Sequence, residues 1–269
     1  MLREITIGQF YPSGSFLHRL DARVKIIGVL LFIICLFVFN DLTGYLFATL
    51  FLVSMIAVSK VPVTYIFKGL KPLLFLLMIT VIFNLFLTPG RYVLEWWIFK
   101  ISIEGIQTAL AMALRLIYLI FGTSLLTFTT TPNNMTDAIE SLFKPLKLLK
   151  APVHEIAMMM SIALRFIPIL LEETDKIMKA QTARGADFES GNIVKKVKSL
   201  VPVLVPLFIS AFRRANDLAM AMEARCYTGG DGRTKMKPLR YERRDYAAFL
   251  FFVMYLALLI LTDIWIRKA

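Results

Sequence analysis

Cysteine and histidine are nearly absent from this chain, with two of each in 269 residues. Cys35 lies in an apolar run and Cys226 in a basic region, so no disulfide framework is expected. His18 and His154 stand alone, without the spacing of a metal-ligand pair. Acids are also scarce, 19 against 31 lysines and arginines. The densest acidic cluster, Glu172, Glu173 and Asp175, is interspersed with Lys176 and Lys179 as on a solvated helix face. There is no Gly-x-x-x-x-Gly-Lys-Ser/Thr loop, and Gly229-Gly230-Asp231-Gly232 lacks the lysine that would reach a phosphate. The chain therefore carries no ATP site of its own, and no catalytic residue, cofactor or metal is expected. Nor does Met1–Arg23 show an apolar core ahead of a small-residue cleavage site, so the first span is expected to direct insertion.

What is present is hydrocarbon. At 58% hydrophobic residues the chain is too apolar for an ordinary soluble domain of its length. Five stretches read as membrane spans: 26–39, 42–59, 72–88, 105–128 and 246–261. A net charge of +12 could suggest nucleic acid, but the bases fall between the spans, as in cytoplasmic loops. Arg19, Arg23 and Lys25 precede the first span, and Lys60, Lys68 and Lys71 follow the second without an acid. The loops around Asp41 and around Arg91, Glu95, Lys100 and Glu104 show no such excess. The positive-inside rule places the N-terminus in the cytoplasm and the C-terminus outside, with Trp96 and Trp97 at the outer interface. Arg115 falls within the fourth span. It is either a functional intramembrane charge or one that snorkels toward an outer acid such as Glu104.

The expected fold is an all-α integral membrane protein. Residues 1–128 form an N-terminal arm and four transmembrane helices, 129–244 a large cytoplasmic helical insert, and 245–269 a C-terminal transmembrane helix. Within the insert, Thr129-Thr130-Thr131-Pro132 starts a helix, and Pro145 and Pro152 break the chain. From Glu155 an apolar face recurs every three or four residues to Met178, with Glu172–Lys176 and Asp175–Lys179 as i,i+4 pairs opposite. A second helix follows from Ile193. Its stretch 199–212 contains Pro202 and Pro206 and is read as buried or interfacial, not as a span. Methionines 158–160, 220 and 222 are read as adaptable packing.

Both helices run to the same ending, Ala-x-x-Ala-Arg-small: Ala183-Arg184-Gly185 in one and Ala224-Arg225-Cys226 in the other. Alanines one turn apart allow a close approach, and arginine offers a planar fork of five donors. A single copy would be explained by the helix dipole. Two copies in the same alanine frame read as paired docking ends.

These endings, the opening Gly8-Gln9-Phe10-Tyr11-Pro12 through His18-Arg19-Leu20-Asp21, and Thr129-Thr130-Thr131-Pro132 together carry a family likeness. The chain resembles the transmembrane T component of energy-coupling factor transporters, ATP-driven importers of vitamins and some metal ions. Cys226 departs from the serine or glycine more familiar at its position. The resemblance implies a bacterial cell membrane, two cytoplasmic ATP-binding subunits, and a small substrate-binding membrane S component. It also implies that Arg184 and Arg225 each contact one ATPase. A self-sufficient channel or secondary transporter is the alternative, but the spans show few polar residues beyond Asn84 and Arg115. A membrane-bound lipid-modifying enzyme would need clustered acids or a nucleophile with its base.

Overall fold

The structure is a computed structural model that describes residues 10–38, 42–96, 99–188, 193–230, 236 and 238–268. Trp97 and Asp231-Gly232 of the sequence reading lie outside those residues, as does Asp41. Among the described residues ten α-helices follow in order: α1 Phe16–Arg19, α2 Ala22–Val38, α3 Leu42–Ser59, α4 Val63–Leu70, α5 Leu74–Leu87, α6 Ile103–Thr129, α7 Pro132–Phe143, α8 Val153–Ala183, α9 Ile193–Ala224 and α10 Arg243–Lys268. Short 3₁₀ segments cover Lys71–Leu73 and Lys144–Leu149. Tyr92–Trp96 (β1) and Phe99–Ser102 (β2) pair antiparallel, a small hairpin in a stretch read as a plain loop. Among the described residues the regular structure is otherwise helical, as expected of an all-α membrane protein with a large helical insert.

Apolar length sets the membrane elements. Val63–Leu87, Ile103–Thr129, Val153–Ala183 and Arg243–Thr262 are long and apolar enough to cross a bilayer, and Gly44–Ser59 is a shorter apolar helix. The third stretch begins nine residues earlier than the charge-free run suggested. Lys68 and Lys71 did not stop the helix, because the chain tightens to 3₁₀ geometry around Pro72 and continues. α8 also has the length and composition to cross, which periodicity alone had assigned to the insert.

Two compact units divide the chain. One comprises 8–138 with 239–269, and the other includes 139–238. The first has a core of Phe32, Leu36, Tyr45, Phe51, Leu52 and Tyr118. Phe51 stacks on Phe32 at 5.3 Å between ring centroids and on Tyr255 at 4.6 Å, which ties α2, α3 and α10 together. α6 starts at an N-cap: Ser102 Oγ accepts from the Gly105 N–H at 2.9 Å while donating to Thr88 O at 2.8 Å. It ends at Thr129, and Pro132 opens α7 at the first helical position with Thr131 Oγ1 accepting from Asn134 N.

Candidate docking ends and the contacts that hold them

The two arginine endings close in the same way. After α8, Arg184 is the C-cap and Gly185 takes φ +89°. Gly185 N–H donates to Thr182 O at 2.9 Å, and Ala186 N–H reaches back to Gln181 O at 2.9 Å. After α9, Cys226 takes φ +55°, its N–H donates to Glu223 O at 2.8 Å, and Tyr227 N–H reaches Met222 O at 3.0 Å. This is a Schellman closure, in which a left-handed residue turns the chain so that the next two amides satisfy the helix's last carbonyls. The "small" residue of each motif is therefore the left-handed one, and the arginine immediately precedes the turn. Ala183, Arg184, Gly185, Ala224, Arg225 and Cys226 are all exposed.

α8 and α9 pack against each other in opposite directions. Glu173 of α8 accepts from Ser210 Oγ at 2.6 Å and from Arg214 Nη2 at 2.9 Å, while eight residues on, Gln181 meets Pro202 of α9. Arg184 thus lies near the middle of α9's first half, and Arg225 follows Pro202 by about 35 Å of helix at 1.5 Å per residue. The motifs stand at opposite ends of one antiparallel pair. Periodicity had shown neither the pairing nor its direction. Among the described residues neither Glu172–Lys176 nor Asp175–Lys179 closes to an ion pair. The acid that works structurally is Glu173, between them in sequence and turned toward the neighbouring helix.

Three prolines sit inside these helices, Pro168 in α8 and Pro202 and Pro206 in α9, and the helices run through them. Proline at 206 has no N–H for the carbonyl of Pro202. That carbonyl accepts instead from Gln181 Nε2 at 3.4 Å. The stretch of α9 read as buried or interfacial leaves Val201, Leu204, Phe208 and Phe212 exposed along one strip, which Val197 extends.

His154 also has a partner that its sequence position hid. Its Nδ1 lies 3.0 Å from Glu140 Oε1, and its ring packs so closely on Gly230 that a Cβ there would overlap it. The loop that follows the Arg225 ending is thereby held against the start of α8.

In the other unit, the opening motif is a junction. Tyr11 N–H donates to Phe128 O at 2.9 Å, and Ser13 Oγ to Ser59 O at 2.9 Å. His18 Nε2 donates to Tyr11 O at 2.7 Å, which leaves Nδ1 to accept from Ser15 Oγ at 2.7 Å. Burial is the main reason the His18 ring titrates below its ordinary value. The Tyr11 carbonyl opposes the shift, and the Lys25 charge adds to it. Lys25 itself is buried and donates to Thr129 O at 2.8 Å, so one of the three arm cations that set the orientation argument serves the fold. Asp21 N–H donates to Asp245 Oδ1 at 2.8 Å, joining the arm to α10.

Arg115 donates to Tyr45 Oη at 3.2 Å and lies over the Phe37 ring at 5.2 Å. Glu104, the acid considered for it, accepts instead from Arg91 N–H at 2.7 Å. Asn84 is bonded along its own helix, to Thr80 O.

Comparison with known proteins identifies a family. A family described as "Cobalt transport protein", CbiQ, matches residues 13–236. A Clostridium kluyveri protein named energy-coupling factor transporter transmembrane protein EcfT is 55% identical over 270 residues, covering 100% of both chains. Proteins of the same name from Ruminiclostridium cellulolyticum and Bacillus subtilis are 53% and 46% identical, covering 98% and 96% of this chain and 98% of each relative.

Proposed function

The chain belongs to the CbiQ family and to the transmembrane proteins of energy-coupling factor transporters, and from that premise we propose that Arg184 and Arg225 dock two cytoplasmic ATP-binding subunits, one each. The observation that carries this is the pair of exposed arginine endings, closed by the same turn and set at opposite ends of α8–α9. An exposed guanidinium beside two alanines enters a groove lined with carboxylates or carbonyls without a steric penalty. Two such ends about 40 Å apart along a stiff pair suit two separate subunits better than one pocket.

In this reading α8 and α9 lie on the cytoplasmic side, although α8 is long enough to cross. Arg165 lies in the middle of the apolar part of α8, and a span would have to carry it into hydrocarbon. ATP binding and hydrolysis in the partner subunits move the two ends relative to each other, and the helices pass that displacement to a substrate-binding membrane S component. The apolar strip of α9, with the exposed Met159 and Met220, is the surface assigned to that component. The N-terminus is cytoplasmic, and the host membrane is the bacterial cell membrane.

The test is copurification. Arg184→Glu with Arg225→Glu would set an acid against each groove and strip both ATPases from the chain. The melting temperature of the chain itself should hold, because neither side chain makes a bond among the described residues. Full assembly and transport in the double variant would refute docking through these residues. Either single variant should lower ATP-coupled uptake more than substrate capture.

A further inference from the structure

Between α7 and α8 the chain makes a feature that ATPase docking does not use. Residues 143–151 read Phe-Lys-Pro-Leu-Lys-Leu-Leu-Lys-Ala, with three lysines and no acid. Lys144–Leu149 is a 3₁₀ helix, in which residues three apart eclipse one another. Lys144 and Lys147 therefore share one row, while Leu146 and Leu149 share a second and Pro145 and Leu148 a third. The turn then closes through Lys150 in the left-handed region, φ +59°, with Lys150 N–H on Lys147 O and Ala151 N–H on Leu146 O. Leu148 is 89% exposed and Leu149 80% exposed.

We propose that this Lys144–Lys150 turn is an interfacial membrane anchor, its leucines in the acyl region and Lys144 and Lys150 on anionic lipid headgroups. A surface that pairs a lysine row with two apolar rows has the composition of an interfacial helix. The cores of protein–protein interfaces, by contrast, are depleted in lysine, and leucine is under-represented among their energetic centres. Chain length places the turn within reach of a bilayer. Only Thr130, Thr131 and the twelve residues of α7 separate it from the end of Ile103–Thr129, a stretch able to cross, and α7 is about 18 Å long. An anchor here fixes the start of α8 at the membrane surface, so displacement of the docking ends turns α8 about a held point. The docking reading enters only in assigning the turn to the cytoplasmic leaflet.

Nitroxide labels test the anchor in the purified complex with its partner subunits. They are placed singly by Leu148→Cys, Leu149→Cys and Lys147→Cys in a Cys35→Ser, Cys226→Gly chain. The complex is held in nanodiscs of phosphatidylcholine with and without phosphatidylglycerol. Labels at 148 and 149 should be reached by oxygen in preference to a water-soluble nickel chelate, with the order reversed at 147. Preference for the chelate at 148 and 149 would put the turn in water and overturn the proposal. Exclusion of both reagents would overturn it in favour of a protein partner covering the turn. Lys144→Gln and Lys150→Gln should each weaken insertion about fivefold in bilayers with phosphatidylglycerol and leave it unchanged without it. Equal effects in both lipids would remove the headgroup contact. The label readout reports depth whether or not Arg184 and Arg225 bind ATPases, so it can fail independently of the copurification test.

Discussion

At the scale of single residues, Cys226 is the position where the two endings differ and where strain is stored. A non-glycine residue in the left-handed region costs about 1 kcal/mol or more, and Gly185 avoids that cost at the equivalent place. Cys226→Gly should raise stability by about 0.5–1 kcal/mol, read as a higher melting temperature, with ATPase binding intact. Gly185→Ala should lower stability by about 1 kcal/mol. A lower melting temperature for Cys226→Gly would contradict this account of the turn. The second residue-scale effect is protonation of His18. Burial holds its folded-state value below 6.5, so the fold favours the neutral ring. Its contribution is whole above 6.5 and is lost as pH falls through that value toward the folded one. Exchange of the Tyr11 amide, corrected for intrinsic rate, should quicken over that window. His18→Gln should remove the pH dependence.

Elements bring in the contacts between helices. Glu173 fastens α8 to α9 through Ser210 and Arg214, and both charged side chains are partly exposed, so screening keeps their bond modest. Glu173→Ala should cost about 1 kcal/mol of stability and, more tellingly, loosen the pair that carries the two arginine endings. Glu173→Arg should lower ATP-coupled transport while leaving ATPase copurification largely intact, and adding Arg214→Glu should restore transport. Failure of the swap to restore it would assign Glu173 another role. That both helices exist was legible from a three-to-four periodicity between clear stops. Which way they run past each other was not, because Glu173, Ser210 and Arg214 acquire meaning only when two distant faces meet. The helix from Ile193 runs through Pro202 and Pro206 as read, but that Gln181 takes up a released carbonyl was not legible.

For the whole molecule, the tie between its beginning and its end matters most. Asp245 is almost fully buried and accepts from Asp21 N–H at 2.8 Å and from Glu242 N–H at 2.7 Å. The second bond is the return half of a capping box at the start of α10. Asp245→Ala leaves two amides unsatisfied, one of them the buried tie to the arm, and should destabilise the protein by about 2–4 kcal/mol. Lower yield of folded chain and protease sensitivity of the N-terminal arm would check this. An unchanged melting temperature would show that the arm is held by its contacts to Phe128 and Ser59 alone.

The sequence by itself determined that this is a helical membrane protein with a charged insert and two matched arginine endings. Apolar length, charge placement and a local motif are properties of contiguous residues, readable without knowing what they touch. Tertiary structure alone decided that Cys226 occupies glycine's place in a repeated turn, that His154 clasps Gly230, and that the arginines face opposite ends of one helix pair. Those facts depend on backbone angles and on partners tens of residues apart, which no window along the chain contains.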